Sequence, residues 1–326
     1  MLNKTLAPLL NLIQFQKKRL AILLGLYFLF LYFLFPFNDL GDLVSAKVSQ
    51  VTQGQVFLDF EKISFSLFPT PGLALSKVDI ETPYAPALTA KSLSVAPSIL
   101  GFLAFKPGVN LRASGFLGGD FEMAAGVGDK TATPPAHRKQ NISLDMSDIN
   151  LGSIGKLASL PMRLEGHISG SVESQIDPAF QEQPSGDIDI KATQTIIPEG
   201  NVPTPYGPIG LPRLSLGDIL VQGHSDKGSI EVTKLVAGKP GGDLYATATG
   251  KIELRLQKIG DTLQPQMGAY DLNVRLQIGQ ALKARVGSFL GILSNYQAAA
   301  NTYAFRISAP NSFSPPNLTR SSALTP

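Results

Sequence analysis

Chemistry in this chain would have to come from very few groups. The 326 residues include no cysteine and three histidines, His137, His167 and His224, which lie in or beside different loops and strands and form no metal-ligand pattern. Asp145 and Asp148 are three residues apart, a spacing that shares a face on a helix but not on the strand-to-turn boundary read here. The glycine-containing stretches GSIGK (Gly152 to Lys156) and GKPGGD (Gly238 to Asp243) lack the full phosphate-loop spacing with Lys followed by Ser or Thr. No Gly-x-Ser-x-Gly elbow occurs, and without cysteine there is no thiolate nucleophile. A catalytic reading needs a constellation, and the sequence supplies none. The expectation is a protein that is not an enzyme and that needs no cofactor and no metal.

With no chemistry to position, the elements themselves carry the argument, beginning with LAILLGLYFLFLYFLFPF, Leu20 to Phe37. These eighteen residues hold no charge. At about 1.5 Å per residue, a helix of that length covers most of a hydrocarbon layer about 30 Å thick, so the stretch reads as a transmembrane helix. Lys4, Lys17, Lys18 and Arg19 precede it without an acid, whereas Asp39 and Asp42 follow before the first base, Lys47. Positive charge stays inside, so Lys17, Lys18 and Arg19 set the topology, with residues 1–19 cytosolic and everything from Asn38 exported. A cleaved signal is the competing reading, with Val44, Ser45 and Ala46 as a small-residue cleavage site. The apolar run is too long for that, and the site lies nine residues beyond Phe37.

The exported part reads as sheet. Glycine and proline recur every dozen residues or so, which is the punctuation of many short strands. A net charge of +3, with bases scattered apart from the cluster before the apolar run, gives no footprint for nucleic acid. From Val44 the pattern turns to period two. Val56, Leu58 and Phe60 share a strand face, and after Glu61 and Lys62 the apolar set slips by one to Ile63, Phe65 and Leu67, as a bulge or a tight turn would make it do. Leu73 and Leu75, Val78 and Ile80, then Leu93 and Val95, continue a meander with one apolar and one polar face. Gly126 to Gln140 reads as a loop, and Leu151 to Leu160 as one or two helical turns. Leu144 and Leu164 belong to further strands. IIPEGNVPTPYGPIGLP, Ile196 to Pro212, has five prolines and is expected to be irregular or polyproline chain. Leu282, Val286, Phe289, Leu290 and Leu293 fall three or four apart, so Gln280 to Asn295 should be an amphipathic helix capping the open end of the sheet. The exported domain is expected to span 38–310, and the tail 311–326 to be disordered.

Two passages add a resemblance: FEKISFSLFPTPGLALSKVDI (Phe60 to Ile80) and LPRLSLGDILVQGHSDKGSIEVTKLVAGKPGGDLYATATGKIELR (Leu211 to Arg255). Together with the anchor, they resemble the type II secretion system protein N (GspN) family and, more broadly, the AsmA-like proteins of bacterial envelopes. The likeness spans most of the chain, through soft patterns of Gly, Pro and alternating apolar residues. It implies a single-pass bacterial inner-membrane protein, with its bulk in the periplasm as a long, curved antiparallel sheet. It also implies a role in protein secretion or lipid movement.

Two function classes follow. One is a structural or accessory component of a type II secretion apparatus, with other envelope or secretion-system proteins as partners. The other is a lipid-handling protein whose apolar groove takes phospholipid acyl chains. The sheet is either an open groove or a closed sandwich, and the sequence offers one good exported helix and no evident second layer to cover the apolar face. If the face is a groove, its lining includes Val56, Leu58, Phe60, Phe65, Leu67, Leu93, Val95, Leu144 and Leu164.

Overall fold

The computed structural model describes residues 22, 23, 25–27, 30, 37–66, 71–82, 85–98, 107–127, 139–157, 160, 162–177, 181–202, 209–259, 262–311 and 314–321. Its described elements are mainly strands. The first half runs helix α1 (Phe37–Val51), β1 (Phe57–Ser66), β2 (Gly72–Thr82), β3 (Ala85–Pro97), β4 (Gly108–Phe116), β5 (Gly119–Val127), β6 (Gln140–Asn150), helix α2 (Leu151–Leu157), β7 (Glu165–Ile176) and β8 (Ser185–Ile197). The second half runs β9 (Gly200–Val202), β10 (Ile209–Leu211), β11 (Leu214–Asp226), β12 (Ser229–Gly238), β13 (Leu244–Ile259), β14 (Thr262–Ile278), helix α3 (Gln280–Leu293), β15 (Gln297–Ala299), β16 (Thr302–Ala309) and β17 (Asn317–Arg320).

Fifteen of these strands form one antiparallel open sheet, in the order β1 to β8, then β11 to β14, then β16 and β15, with β17 also on β16. Most neighbours in the sheet are also neighbours in sequence and antiparallel, which is the arrangement that alternating strands with Gly and Pro punctuation produce most directly. The sheet is a single layer: no second sheet faces it among the described residues, where the only other sheet is the small β9–β10 hairpin. The choice between groove and sandwich therefore falls to the open sheet.

The slip read at Glu61 and Lys62 is present and is shared by both strands. Phe60 faces Val78 and Ile63 faces Leu75, so β1 and β2 each carry the extra residue and their register is kept. Lys77 takes φ +50° at this step, an unfavourable conformation for a residue with a Cβ, and its ammonium meets Glu61 at 2.5 Å. Further positive-φ residues within strands β4, β6, β7, β8 and β11 are Gly115, Asp148, Gly166, Gln194 and Gly217. Register shifts occur at or beside all five. Together they make a line of bulges near one edge of the sheet, where each inserts a residue and sharpens the local bend. Several of the most buried side chains sit beside this line, with Val78 1 % and Ile149 2 % exposed.

Helices close the two ends of the apolar face. At one end Leu40 and Val44 of α1 pack against a cluster of Ile63, Leu75, Val78 and Ala90. At the other, Leu282 of α3 is buried with Ile278, Tyr303 and Phe305, and Leu293 packs beside them. This is the capping helix expected over 280–295. Val286, Phe289 and Leu290 also lie in it, but their side chains are outside the described residues.

Three expectations are corrected. Strand pattern was expected from Val44, but the chain is helical through Val51, because Leu40, Gly41, Val44 and Val48 form an i, i+3, i+4 stripe that packs on β1. The proline-rich 196–212 stretch is not wholly irregular: β9 and β10 pair as Ile209 with Val202 and Leu211 with Gly200, since none of the five prolines falls within those short strands. The tail expected to be disordered contributes β17, where Leu318 faces Ile307 and adds an apolar side chain to the terminal cluster.

The apolar stretch at 20–37 lies largely outside the described residues. Ile22, Leu23, Leu26, Tyr27 and Phe30 are described; they are helical and exposed. No helix among the described residues is long and apolar enough to cross a membrane.

Candidate functional site: an open apolar trough

Opposed residues in an antiparallel ladder point to the same side, so the register defines the faces. One row passes from Phe65 to Leu73, Val95, Leu111, Met123 and Leu144, and on to Val172 and Ile188, covering β1 to β8. A parallel row continues from Ile190 through Val221, Leu235, Ala248 and Val274 to Phe305 on β16. The apolar face is therefore continuous across the sheet. With neighbouring strands about 4.8 Å apart, it extends for about 60 Å.

What makes this face a trough rather than a core is how little of the described chain covers it: α1 and α3 at its ends, and the short α2 beside β3, β6 and β7. The two buried clusters lie at its ends, under α1 and α3. Between them the side chains are mostly half-exposed, and on the rim away from the bulge line Val95 is 37 % and Val109 48 % exposed. Farther along, Leu254 faces Met267, and these are 36 % and 41 % exposed. A contiguous apolar surface of this extent is unusual on a soluble domain, which makes this face the candidate site.

The expected lining residues fall as follows. Leu58, Phe60 and Leu93 pack on the α1-side cluster. Phe65, Val95 and Leu144 sit in the open row, with Phe65 and Leu144 half-buried. Val56 and Leu164 are half-buried but precede β1 and β7, so neither joins the ladder; the Val56 N–H donates instead to Thr52 Oγ1 at 3.2 Å. Leu67, Lys17, Lys18 and Arg19 lie outside the described residues. The apolar partners that sequence reading left out, such as Leu111, Met123 and Val172, carry the same alternation. Only the register shows that they continue the rows of Phe65 and Leu144.

The other face is polar and ion-paired across strands. Arg112 places Nη2 at 2.7 Å and Nε at 3.2 Å from Glu122 Oε2, Gln222 Nε2 donates to Asp189 Oδ2 at 2.9 Å, and Arg306 donates to both oxygens of Asp271. The Arg306 hydrogen bonds hold the Asp271 carboxyl below its ordinary range. These pairs are exposed and screened by solvent, so each adds little to stability; their main effect is to keep this face in water.

Two histidines have carboxylate partners distant in sequence. His224 Nδ1 lies 2.7 Å from Asp187 Oδ1, and this hydrogen bond raises the His224 pKa. His167 Nδ1 lies 3.0 Å from Asp148 Oδ1, and the Asp148 N–H donates to Ser169 Oγ. Each is an exposed pair beside a strand ladder. Among the described residues, no group of three or more His, Asp or Glu side chains could hold a metal ion. Asn110, Ser143, Glu173, Asp187 and His224 border a broad depression of about 650 Å³ on the polar face. Its lining contains acids and amides but no lysine or arginine. The sequence missed both histidine pairs because strand register, not spacing along the chain, brings their members together.

Comparison with protein-family models, with curated proteins and with solved structures found no match in any of the three.

Proposed function

We propose that this protein is a non-enzymatic, membrane-tethered lipid-handling element, in which the apolar face of the exported sheet shelters acyl chains while its polar face stays in water. One observation carries the reading: a single-layer sheet with apolar rows across its strands, over which the described helices α1 and α3 cover the two ends and the short α2 touches only β3, β6 and β7. An ordinary domain of this pattern would close a second sheet over these rows. The anchor read at 20–37 would hold the trough beside a bilayer, the source of such chains. Its bacterial inner-membrane and periplasmic setting rests on the resemblance to AsmA-like proteins.

A second reading is a structural or accessory role in type II secretion, with other envelope proteins as partners. The observation favouring it is the open edge of β1, which among the described residues pairs only with β2 and leaves one side of its backbone without a strand partner.

Photo-crosslinking separates the two. Probes at Val95 and Leu144 should capture lipid in the membrane-bound chain, and probes at Ser94 and Asp145, their neighbours on the polar face, should not. Equal labelling of both faces, or none on either in a folded chain, removes the trough reading and leaves the accessory one.

A further inference from the structure

We propose that β1 is a self-pairing edge, through which two copies of this chain join their sheets into one antiparallel sheet about a two-fold axis between Glu61 and Lys62. The inference goes beyond the lipid reading and does not depend on it.

The sequence of β1, FLDFEKISFS, is complementary to itself when reversed. Pairing a second copy with that axis sets Phe60 opposite the partner's Ile63, Leu58 opposite the partner's Phe65, and Asp59 opposite the partner's Ser64. At the centre Glu61 lies beside the partner's Lys62, and Lys62 beside the partner's Glu61. Apolar meets apolar, and charge meets opposite charge, on both sides of the axis. A regular strand could not do this, because an odd register brings opposite faces together. The slip between Phe60 and Ile63 supplies the missing step. The β1–β2 pair already shows two stepped strands matching across it, with Phe60 on Val78 and Ile63 on Leu75.

Two further observations fit. Lys62 is exposed and makes no ion pair among the described residues, whereas the neighbouring Glu61 already meets Lys77. Helix α1 packs on the apolar side of β1: Leu40 and Val44 join its cluster, and a methyl group at Gly41 would come within 3.2 Å of the Phe60 ring. The start of α1 thus lies over the middle of the strand. A two-fold axis normal to the sheet keeps both copies' α1 helices on one face. Isologous pairing of this kind is the commonest route to a closed dimer, and it would run the two apolar faces into one.

The chain has no cysteine, so the register can be tested directly in full-length protein in isolated membranes. A chain carrying both Asp59→Cys and Ser64→Cys should form an oxidised dimer at least tenfold more efficiently than either single variant. Within one chain these positions are five residues apart on an extended strand, too far for a disulfide. Lys62→Glu should lower the dimer yield, and Glu61→Lys with Lys62→Glu should restore it, which separates register from loss of folding. Single and double cysteine variants crosslinking alike, or a charge swap that fails to rescue while the chain remains folded, would overturn the proposal and leave Lys62 as a guard against edge pairing.

Discussion

Leu144 on β6 and Val172 on β7 are direct register partners in the middle of a wide sheet, yet both side chains remain half-exposed. Ile149, five residues along β6, is 2 % exposed beside the bulge line. The same strand therefore carries a trough residue and a core residue, and the two should respond differently to substitution. Leu144→Ser is expected to cost about 1 kcal/mol in denaturant unfolding, and Ile149→Ser about 3 kcal/mol or more. Leu144→Asp should also abolish lipid capture by a probe at Val172. Equal losses of stability at 144 and 149 would mean that the middle of the trough is an ordinary core.

Thr195 is 3 % exposed and, among the described residues, its hydroxyl has no hydrogen-bond partner. Replacing it by the near-isosteric valine removes an unsatisfied polar group while filling the same space. Thr195→Val is expected to stabilise the fold by about 1 kcal/mol, measured as a rise in the denaturation midpoint with unchanged slope. A destabilised variant would show that the hydroxyl does have a partner.

At Lys77 the left-handed backbone and the ion pair to Glu61 act in opposite directions. Lys77→Gly relieves the backbone strain but adds unfolded-state entropy and loses a solvent-screened ion pair, so stability should hardly change. Lys77→Val forces a β-branched residue into φ +50° and should cost at least 1–2 kcal/mol. If both variants behave alike in thermal unfolding, the bulge does not need this conformation.

The His224 imidazole should titrate above its ordinary value of 6.5, because its hydrogen bond to Asp187 favours the protonated ring. The sign follows from that direction. The pair's contribution to stability is fully present below pH 6.5 and fades as pH rises through the higher folded value. Proton NMR of the ring across this range should show the raised midpoint, and Asp187→Asn should return it towards the ordinary value. A wild-type midpoint at or below 6.5 would mean that the contact is not kept in solution.

Topology offers a check that needs no structure. A reporter active only outside the cytoplasm, fused after Pro310, should be active, with the full-length chain in the membrane fraction. Replacing Lys17, Lys18 and Arg19 by neutral residues should reduce correct orientation. A shortened soluble product would instead establish cleavage near Ala46.

The sequence by itself determined what depends on nearest neighbours along the chain. Alternation of Leu58 with Phe60, and of Ile63 with Phe65, marks apolar and polar sides of a strand, and the slip between them is readable because it breaks a period of two. The spacing of Leu282 and Leu293 marked a helix for the same reason, and the scarcity of titratable clusters was visible as composition. Tertiary structure decided everything that depends on which strands meet. Register joined Leu144 to Val172 and Val274 to Phe305 into rows, and brought His224 to Asp187 from 37 residues away. It also turned Phe37–Val51 into a packed helix, where the composition of Val44 to Val51 suits either state and contact with Phe60 and its neighbours on β1 selects one. Whether the apolar face would be covered was a further question of this kind. Alternation says that a strand has two sides, and only the spatial arrangement of layers says what lies against each.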